Sequence, residues 1–493
     1  MNFYKFIIAR LNGKDIEKEF DYYLGLVKKG IAGFIVFGGE LNTVRRGISE
    51  LQKEADERLI IASDLEQGLG QQLEGGTVFP PAMAVAKAIQ NSKFKIQSSK
   101  LKILRRVFKA VAIEARYAGI NTIFAPVLDI NTNPKNPIIS TRAFGEDPES
   151  VSFFGCEMIK TFQSHGITAC GKHFPGHGDT ETDSHIKLPK IKKDIKALSK
   201  TELAPFRNAV KAGVKMIMMG HLNVPAIDQS GIPVSLSQKA VSYLRSKLGF
   251  KGIVITDAMN MGGIGRYSEE KAALMALAAG VNIILHPSNP DKTALYLARQ
   301  ENKFNLRRLD SFREKLGCVQ SVSVPDFASH RRLSEKMTKM AIKVSGDFSV
   351  KKQPLLIILD DDSSDSGRVL CSALKQKYDA LHCVRFKRDE ALTFSKLQKH
   401  RDVITAVFSK TKAWKGAPGN WLIHSMKKLM KSSDVFISFG SPYLLDNIRD
   451  RIGDCPRFTD RAKRSRRIGT VPVVKIYAYW DSDICQKAVA DLF

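Results

Sequence analysis

Fifteen residues, Gly171–His185 (G-K-H-F-P-G-H-G-D-T-E-T-D-S-H), gather three His, two Asp, one Glu and one Lys between three Gly and a Pro. A packed helix or strand does not take that composition. Gly176 and Gly178 permit backbone angles closed to other residues, and Pro175 fixes a turn. Within the stretch, Asp183-Ser184-His185 places a carboxylate two residues before an imidazole. On an extended loop both side chains leave one side, so the carboxylate can orient the ring for general acid and base work near neutral pH. A salt-bridged surface His is the structural alternative for the pair alone, and a polar surface loop is the alternative for the stretch. A second candidate lies in I-V-I-T-D-A-M-N-M-G-G-I, where Asp257 ends an apolar run before a small-residue turn. A carboxylate held rigidly there suits nucleophilic attack on a sugar's anomeric carbon, as retaining glycosidases require. A helix N-cap is its local alternative.

These groups need elements to hold them. Gly166–Gly171 is short, apolar and partly β-branched, as a buried strand would be, so Lys172 and His173 fall at a strand's C-terminal end. Similar runs recur at Phe6–Arg10, Gly33–Phe37, Leu59–Asp64, Asn121–Asp129, Thr168–His173, Lys215–His221, Gly252–Asp257 and Val281–His286. Helical periodicity fills the intervals at 14–29, 41–56, 98–118, 147–165, 196–212, 237–247 and 267–279. Strands and helices alternating in this way predict a (β/α)8 TIM-type barrel, with a doubly wound sheet as runner-up that lacks a Gly-rich dinucleotide turn. In a closed barrel, Asp64, Asp129, Lys172, His173, His221, Asp257 and His286 would converge on one rim, where such barrels place their active sites.

From Pro354 a second series of apolar runs begins: Leu355–Leu359, Leu381–Phe386, Val403–Phe408, Val435–Phe439 and Val471–Tyr477. The expected organisation is a barrel over 1–325, a helical linker over 326–350, and a smaller α/β sandwich over 351–493. The acidic run from Asp360 to Gly367 lacks the spaced bidentate Glu of a calcium loop and reads as a strand-end turn with capping carboxylates.

The seven Cys are odd in number and scattered without a C-x-x-C pair, which argues for reduced thiols and against a Cys zinc site. The N-terminus lacks the features of a signal peptide, and no apolar stretch approaches the roughly 18–20 residues that span a bilayer. A soluble, cytoplasmic protein without membrane contact is expected. The excess of 77 Lys and Arg over 50 Asp and Glu, net +27, is spread along the chain. Its densest cluster, Arg457–Arg467, reads as a solvated face rather than a polyanion patch, and no nucleic-acid motif accompanies it.

K-H-F-P-G-H-G-D-T-x-x-D-S-H resembles the signature of glycoside hydrolase family 3, in its NagZ-type β-N-acetylhexosaminidase branch. The likeness extends through F-P-P-A-M-A (Phe79–Ala84), A-P-V-L-D-I (Ala125–Ile130), R-A-F-G-E-D-P (Arg142–Pro148), M-M-G-H-L (from Met218) and L-G-F-K-G-I-V-I-T-D-A-M (from Leu248). The resemblance implies Asp257 as nucleophile and His185, oriented by Asp183, as acid and base. It implies sugar binding by Asp64, Arg142, Lys172 and His173, no metal or organic cofactor, and a loop that closes over substrate. His177 and His221, without a family role, would shape loop and rim. The family's D-x-E-G-G-R-V-x-R is D-L-E-Q-G-L-G-Q-Q here (Asp64–Gln72), so Leu69 and Gln72 stand where Arg is usual. Losing a buried Arg contact removes about 1.5–3 kcal/mol of charge-assisted hydrogen bonding. The C-terminal domain resembles the accessory sandwich of two-domain members and is expected to add no catalytic residue.

The expectation is thus a monomeric, retaining exo-β-N-acetylglucosaminidase acting on an N-acetylglucosamine-containing glycan, in muropeptide recycling by family analogy. The alternatives are a phosphorylase or β-glucosidase of the same family, or an inactive polyanion-binding barrel.

Overall fold

A computed structural model of the chain describes residues 1–90, 96–300, 304–317, 323–350, 353–362, 365–392, 402–409, 419–429, 432–446 and 474–493. The described residues form two compact units, one over 1–337 and one from 338 onward. The Arg457–Arg467 cluster, Cys318 and Cys455 lie outside the described residues.

The first unit is a closed, all-parallel barrel of strands in sequence order. They are β1 (Ile7–Asn12), β2 (Gly33–Phe37), β3 (Ile60–Ser63), β4 (Thr122–Ile123), β5 (Thr168–Phe174), β6 (Met216–Met219), β7 (Ile253–Ala258) and β8 (Ile283–Leu285). Side chains alternate across a strand, so each strand sends one set inward. The inward set packs as a single cluster that includes Ile8, Ile35, Ile60, Phe124, Cys170, Met216, Ile253 and Ile283. This filled lumen leaves only the strand ends open to solvent.

Four elements of this unit differ from the sequence expectation. The run Asn121–Asp129 contributes only Thr122 and Ile123 to the ladder, because Pro126 has no amide to continue it. The chain nevertheless stays beside β5, with the Leu128 amide donating to the Lys172 carbonyl at 2.6 Å and the Lys172 amide donating to Pro126 at 3.1 Å. That course delivers Asp129 beside His173. The expected helix 196–212 is two helices, Ile195–Lys200 and Leu203–Lys211. Pro205 lacks the amide that would bond the Thr201 carbonyl, and its ring excludes that carbonyl. Helices Ala82–Ile89 and Pro290–Ala298 were not anticipated; the second is capped by Asn289 and has Pro290 in its first turn.

The second unit is a six-stranded sheet with helices, in the order β11-β10-β12-β13-β14-β9. Its strands are β9 (Lys343–Ser345), β10 (Leu355–Asp360), β11 (His382–Lys387), β12 (Val403–Ser409), β13 (Val435–Gly440) and β14 (Val474–Tyr477). All pair in parallel except β9, an exposed antiparallel edge that the sequence did not signal. Asp360 accepts from the Asp362 and Ser366 amides at 3.0 and 3.3 Å, so it caps its turn.

Candidate active site

Four strand ends bring the predicted residues to one mouth. Asp64 follows β3, Lys172 and His173 lie near the end of β5, His221 follows β6, and Asp257 lies near the end of β7. Two ion-pair systems hold the first of these.

Lys172 is buried and donates to Asp64 Oδ1 at 2.6 Å, while its Nζ lies 2.7 Å from Glu66 Oε1. Glu66 also takes both arms of Arg142: Nε to Oε2 at 2.9 Å and a terminal nitrogen to Oε1 at 2.8 Å. Burial pushes the Glu66 carboxyl up, but Arg142 and Lys172 outweigh it and hold Glu66 well below the usual carboxylate range. Burial likewise opposes the Lys172 charge, and Asp64 with Glu66 overcomes it and holds the ammonium protonated. Sequence reasoning assigned Glu66 no role. Its signal was the D-x-E spacing after β3, which places a second carboxylate within reach of the same cations.

The other system runs through Asp129, which is fully buried. It accepts from His173 Nδ1 at 2.7 Å and from the His177 amide at 2.7 Å. His177 is buried in turn, with Nδ1 2.7 Å from the Thr180 hydroxyl and Nε2 2.9 Å from the Ser184 hydroxyl. Ser184 is the residue between Asp183 and His185, so the His177 ring fixes the centre of the D-x-H segment. Burial lowers the His177 pKa to about 4, with the Asp129 charge only partly opposing it. Gly178 lies so close to the Ile130 carbonyl that a Cβ would stand 1.7 Å from its oxygen. That contact admits only glycine and pins the loop's root.

Asp183 Oδ1 accepts from His185 Nδ1 at 2.7 Å and from the His185 amide at 2.8 Å, an orientation that directs Nε2 away from the carboxylate. The segment is seated on the loop after β7. The Gly262 amide donates to the His185 carbonyl at 2.9 Å, and the Gly263 amide donates to Ser184 at 2.8 Å. Asp257, in β7 beneath that loop, is 9 % exposed and accepts from the Ala258 amide at 2.9 Å. Burial raises its pKa, yet His173, His221, the Ala258 amide and His185 together leave it below the ordinary value. Burial depresses the His221 pKa; its Nε2 donates to the Ala258 carbonyl at 3.0 Å and its Nδ1 lies 2.7 Å from the Ser235 hydroxyl. It braces the end of β7. Leu69 is buried in the apolar interior, and among the described residues the Gln72 side chain reaches the Asp64 carbonyl at 3.5 Å.

Carboxylates and an Asp-oriented imidazole thus gather on the C-terminal rim of a parallel barrel, the end at which such barrels carry their active sites. The chain belongs to glycosyl hydrolase family 3, whose N terminal domain pattern matches residues 18–312. It is 31% identical over 358 residues to beta-hexosaminidase A of Pseudoalteromonas piscicida, a match covering 63% of this chain and 59% of that protein. It is also 31% identical over 291 residues to a beta-N-acetylglucosaminidase/beta-glucosidase of Cellulomonas fimi, covering 56% of this chain and 49% of that one. The chain thus spans about half to three fifths of those two relatives. Among solved structures, a glycoside hydrolase family 3 beta-N-acetylglucosaminidase from Paenibacillus sp. superimposes with a TM-score of 0.80 at 25% identity. That match covers 99% of this chain and 95% of the other, so the two-unit fold is shared. No helix among the described residues is long and apolar enough to cross a membrane.

Proposed function

We propose that the protein is a retaining exo-β-N-acetylglucosaminidase. The observation that carries this reading is the seating of the Asp183–His185 segment on the loop directly after Asp257. That seating ties an Asp-oriented imidazole to the strand end that carries a buried carboxylate held below its ordinary pKa, which supports a pairing of acid/base and nucleophile. In the first step Asp257 attacks the anomeric carbon while the bond to the leaving oxygen breaks, and His185 Nε2 gives its proton to that oxygen. Asp183 holds the Nδ1 proton and stabilises the ring each time it is charged. In the second step water attacks the glycosyl–Asp257 ester, His185 takes its proton, and the carboxylate is released. Asp64, Arg142, Lys172 and His173 bind the sugar's hydroxyls and N-acetyl group in this scheme.

The names of the relatives support N-acetylglucosamine as the sugar, and the substrate class is a glycan ending in that residue in β linkage. Muropeptides of the cell wall, met in the cytoplasm, belong to the same reading. The test is turnover of 4-nitrophenyl N-acetyl-β-glucosaminide, with and without phosphate, beside the matching glucoside. The expected product is free N-acetylglucosamine whether or not phosphate is present, with much slower glucoside cleavage. Asp257→Ala should lose at least about a thousandfold in kcat. Equal rates for the variant and wild type would end the glycosidase reading, and a sugar phosphate as product would replace hydrolysis with phosphorolysis.

A further inference from the structure

Arg10, the last residue of the first predicted strand run, was given no role in the sequence analysis. It lies on β1, whose two edges are occupied by β2 and β8. Ile7, Ala9 and Leu11 are buried, whereas Ile8 belongs to the cluster that fills the barrel lumen. Arg10 is two residues beyond Ile8 and therefore faces the lumen as well, nearer the C-terminal rim. Yet Arg10 is exposed. A residue on the inner face of a strand flanked on both sides can reach solvent only through the mouth of the barrel. Its guanidinium lies 5.1 Å from the centre of the Phe37 ring, and Phe37 lies 6.1 Å from the ring of His286 at the end of β8. His286 feels the charges of both Arg10 and Asp64, which puts the three groups on one stretch of wall.

The other two mouth cations are committed elsewhere: Lys172 to Asp64 and Glu66, and Arg142 to Glu66. Among the described residues, Arg10 forms no ion pair. The loop after β3 offers no guanidinium at Gln72, whereas β1 presents one at Arg10. Its direction follows from the ring of strands. The D-x-H loop leaves β5 and seats beyond β7, whereas β1 lies diametrically opposite β5. A sugar whose leaving oxygen is under His185 turns its far edge, with O4 and O6, toward β1 and β3.

We propose that Arg10 is a specificity-determining sugar ligand, its guanidinium donating to the O4 or O6 hydroxyl at the non-reducing end of the terminal sugar. This rests on the glycosidase reading above. The experiment compares wild type and Arg10→Met on 4-nitrophenyl N-acetyl-β-glucosaminide and on its 4-deoxy and 6-deoxy analogues. Methionine keeps an apolar stem against Phe37 and removes only the fork. The variant should lose about 10- to 100-fold in kcat/KM on the parent substrate at an unchanged melting midpoint. On one of the two analogues it should match wild type within about twofold, because the hydroxyl it would have contacted is gone. Arg10→Lys should recover part of the loss. A variant with wild-type kcat/KM on the parent, or one that penalises both analogues as strongly as wild type does, overturns the proposal. Wild type that leaves the parent substrate uncleaved overturns the glycosidase reading first, and this proposal with it.

Discussion

At the scale of single residues, the site solves a problem of buried charge. Asp64, Glu66, Arg142 and Lys172 interlock, so each charge has its counter-charge within a hydrogen bond. Removing one member of such a set leaves the rest uncompensated in a poorly solvating interior. Glu66 is the shared member, so Glu66→Gln should cost about 3 kcal/mol of stability, read as a lower denaturation midpoint at unchanged slope. It should also raise KM for the aryl substrate, since Lys172 and Arg142 lose the carboxylate that aims them. Asp183, His185 and Asp257 stood out because a carboxylate two residues from a His, or alone at the end of an apolar run such as Ile253–Ile255, is conspicuous without coordinates. Glu66 and Arg10 did not. A glutamate on a polar loop and an arginine at the end of an apolar run both pass for ordinary surface residues until the barrel closes around them.

At the scale of elements, the strands were readable because a parallel barrel buries both faces of each strand and so writes it as a short apolar run. Prolines mark the misreadings: Pro126 stops β4 and Pro205 divides a helix, each by withholding an amide. The seat of the D-x-H loop was not legible at all, because it consists of backbone amides meeting backbone carbonyls across about eighty residues of sequence. It is nonetheless open to test. A Cβ on Gly263 would stand 2.7 Å from both the Ser184 carbonyl and the His221 Cβ. Relieving that overlap strains the Ser184 segment, which the His177 ring holds in place, against the strand end that His221 braces. Gly263→Ala should therefore displace the His185 imidazole, which under the proposed mechanism carries the acid/base step. A displacement of about 1 Å costs on the order of a hundredfold in rate. The loss should appear in kcat with KM little changed, and the melting midpoint should fall far less than for Glu66→Gln.

At the scale of the whole molecule, the sign of the charge and the state of the buried and half-buried histidines act together below neutrality. His177 and His286 each have a pKa lowered to about 4, in both cases chiefly by burial, and His221 is lowered by the same cause. In the unfolded chain these rings take up protons near the ordinary value of about 6.5, whereas the folded protein holds them neutral until the pH is much lower. The unfolded state therefore binds more protons between those limits, and stability rises with pH across that window. It is fully present above about 6.5 and is lost as the pH falls toward 4. For His177 the loss amounts to at most about 3 kcal/mol. Self-repulsion of a chain carrying +27 at pH 7 works in the same direction as carboxylates protonate. Salt separates the two causes, because it screens surface charge but reaches a buried ring only weakly. Melting midpoints measured from pH 7 to pH 4 should fall steeply, and 0.5 M potassium chloride (roughly a 4 Å screening length) should recover only part of the fall. His177→Gln, which has no proton to gain, should start less stable at pH 7 through lost contacts to Thr180 and Ser184 but show a shallower decline toward pH 4. A parallel decline in variant and wild type would place the acid sensitivity in the surface charge and not in the buried rings.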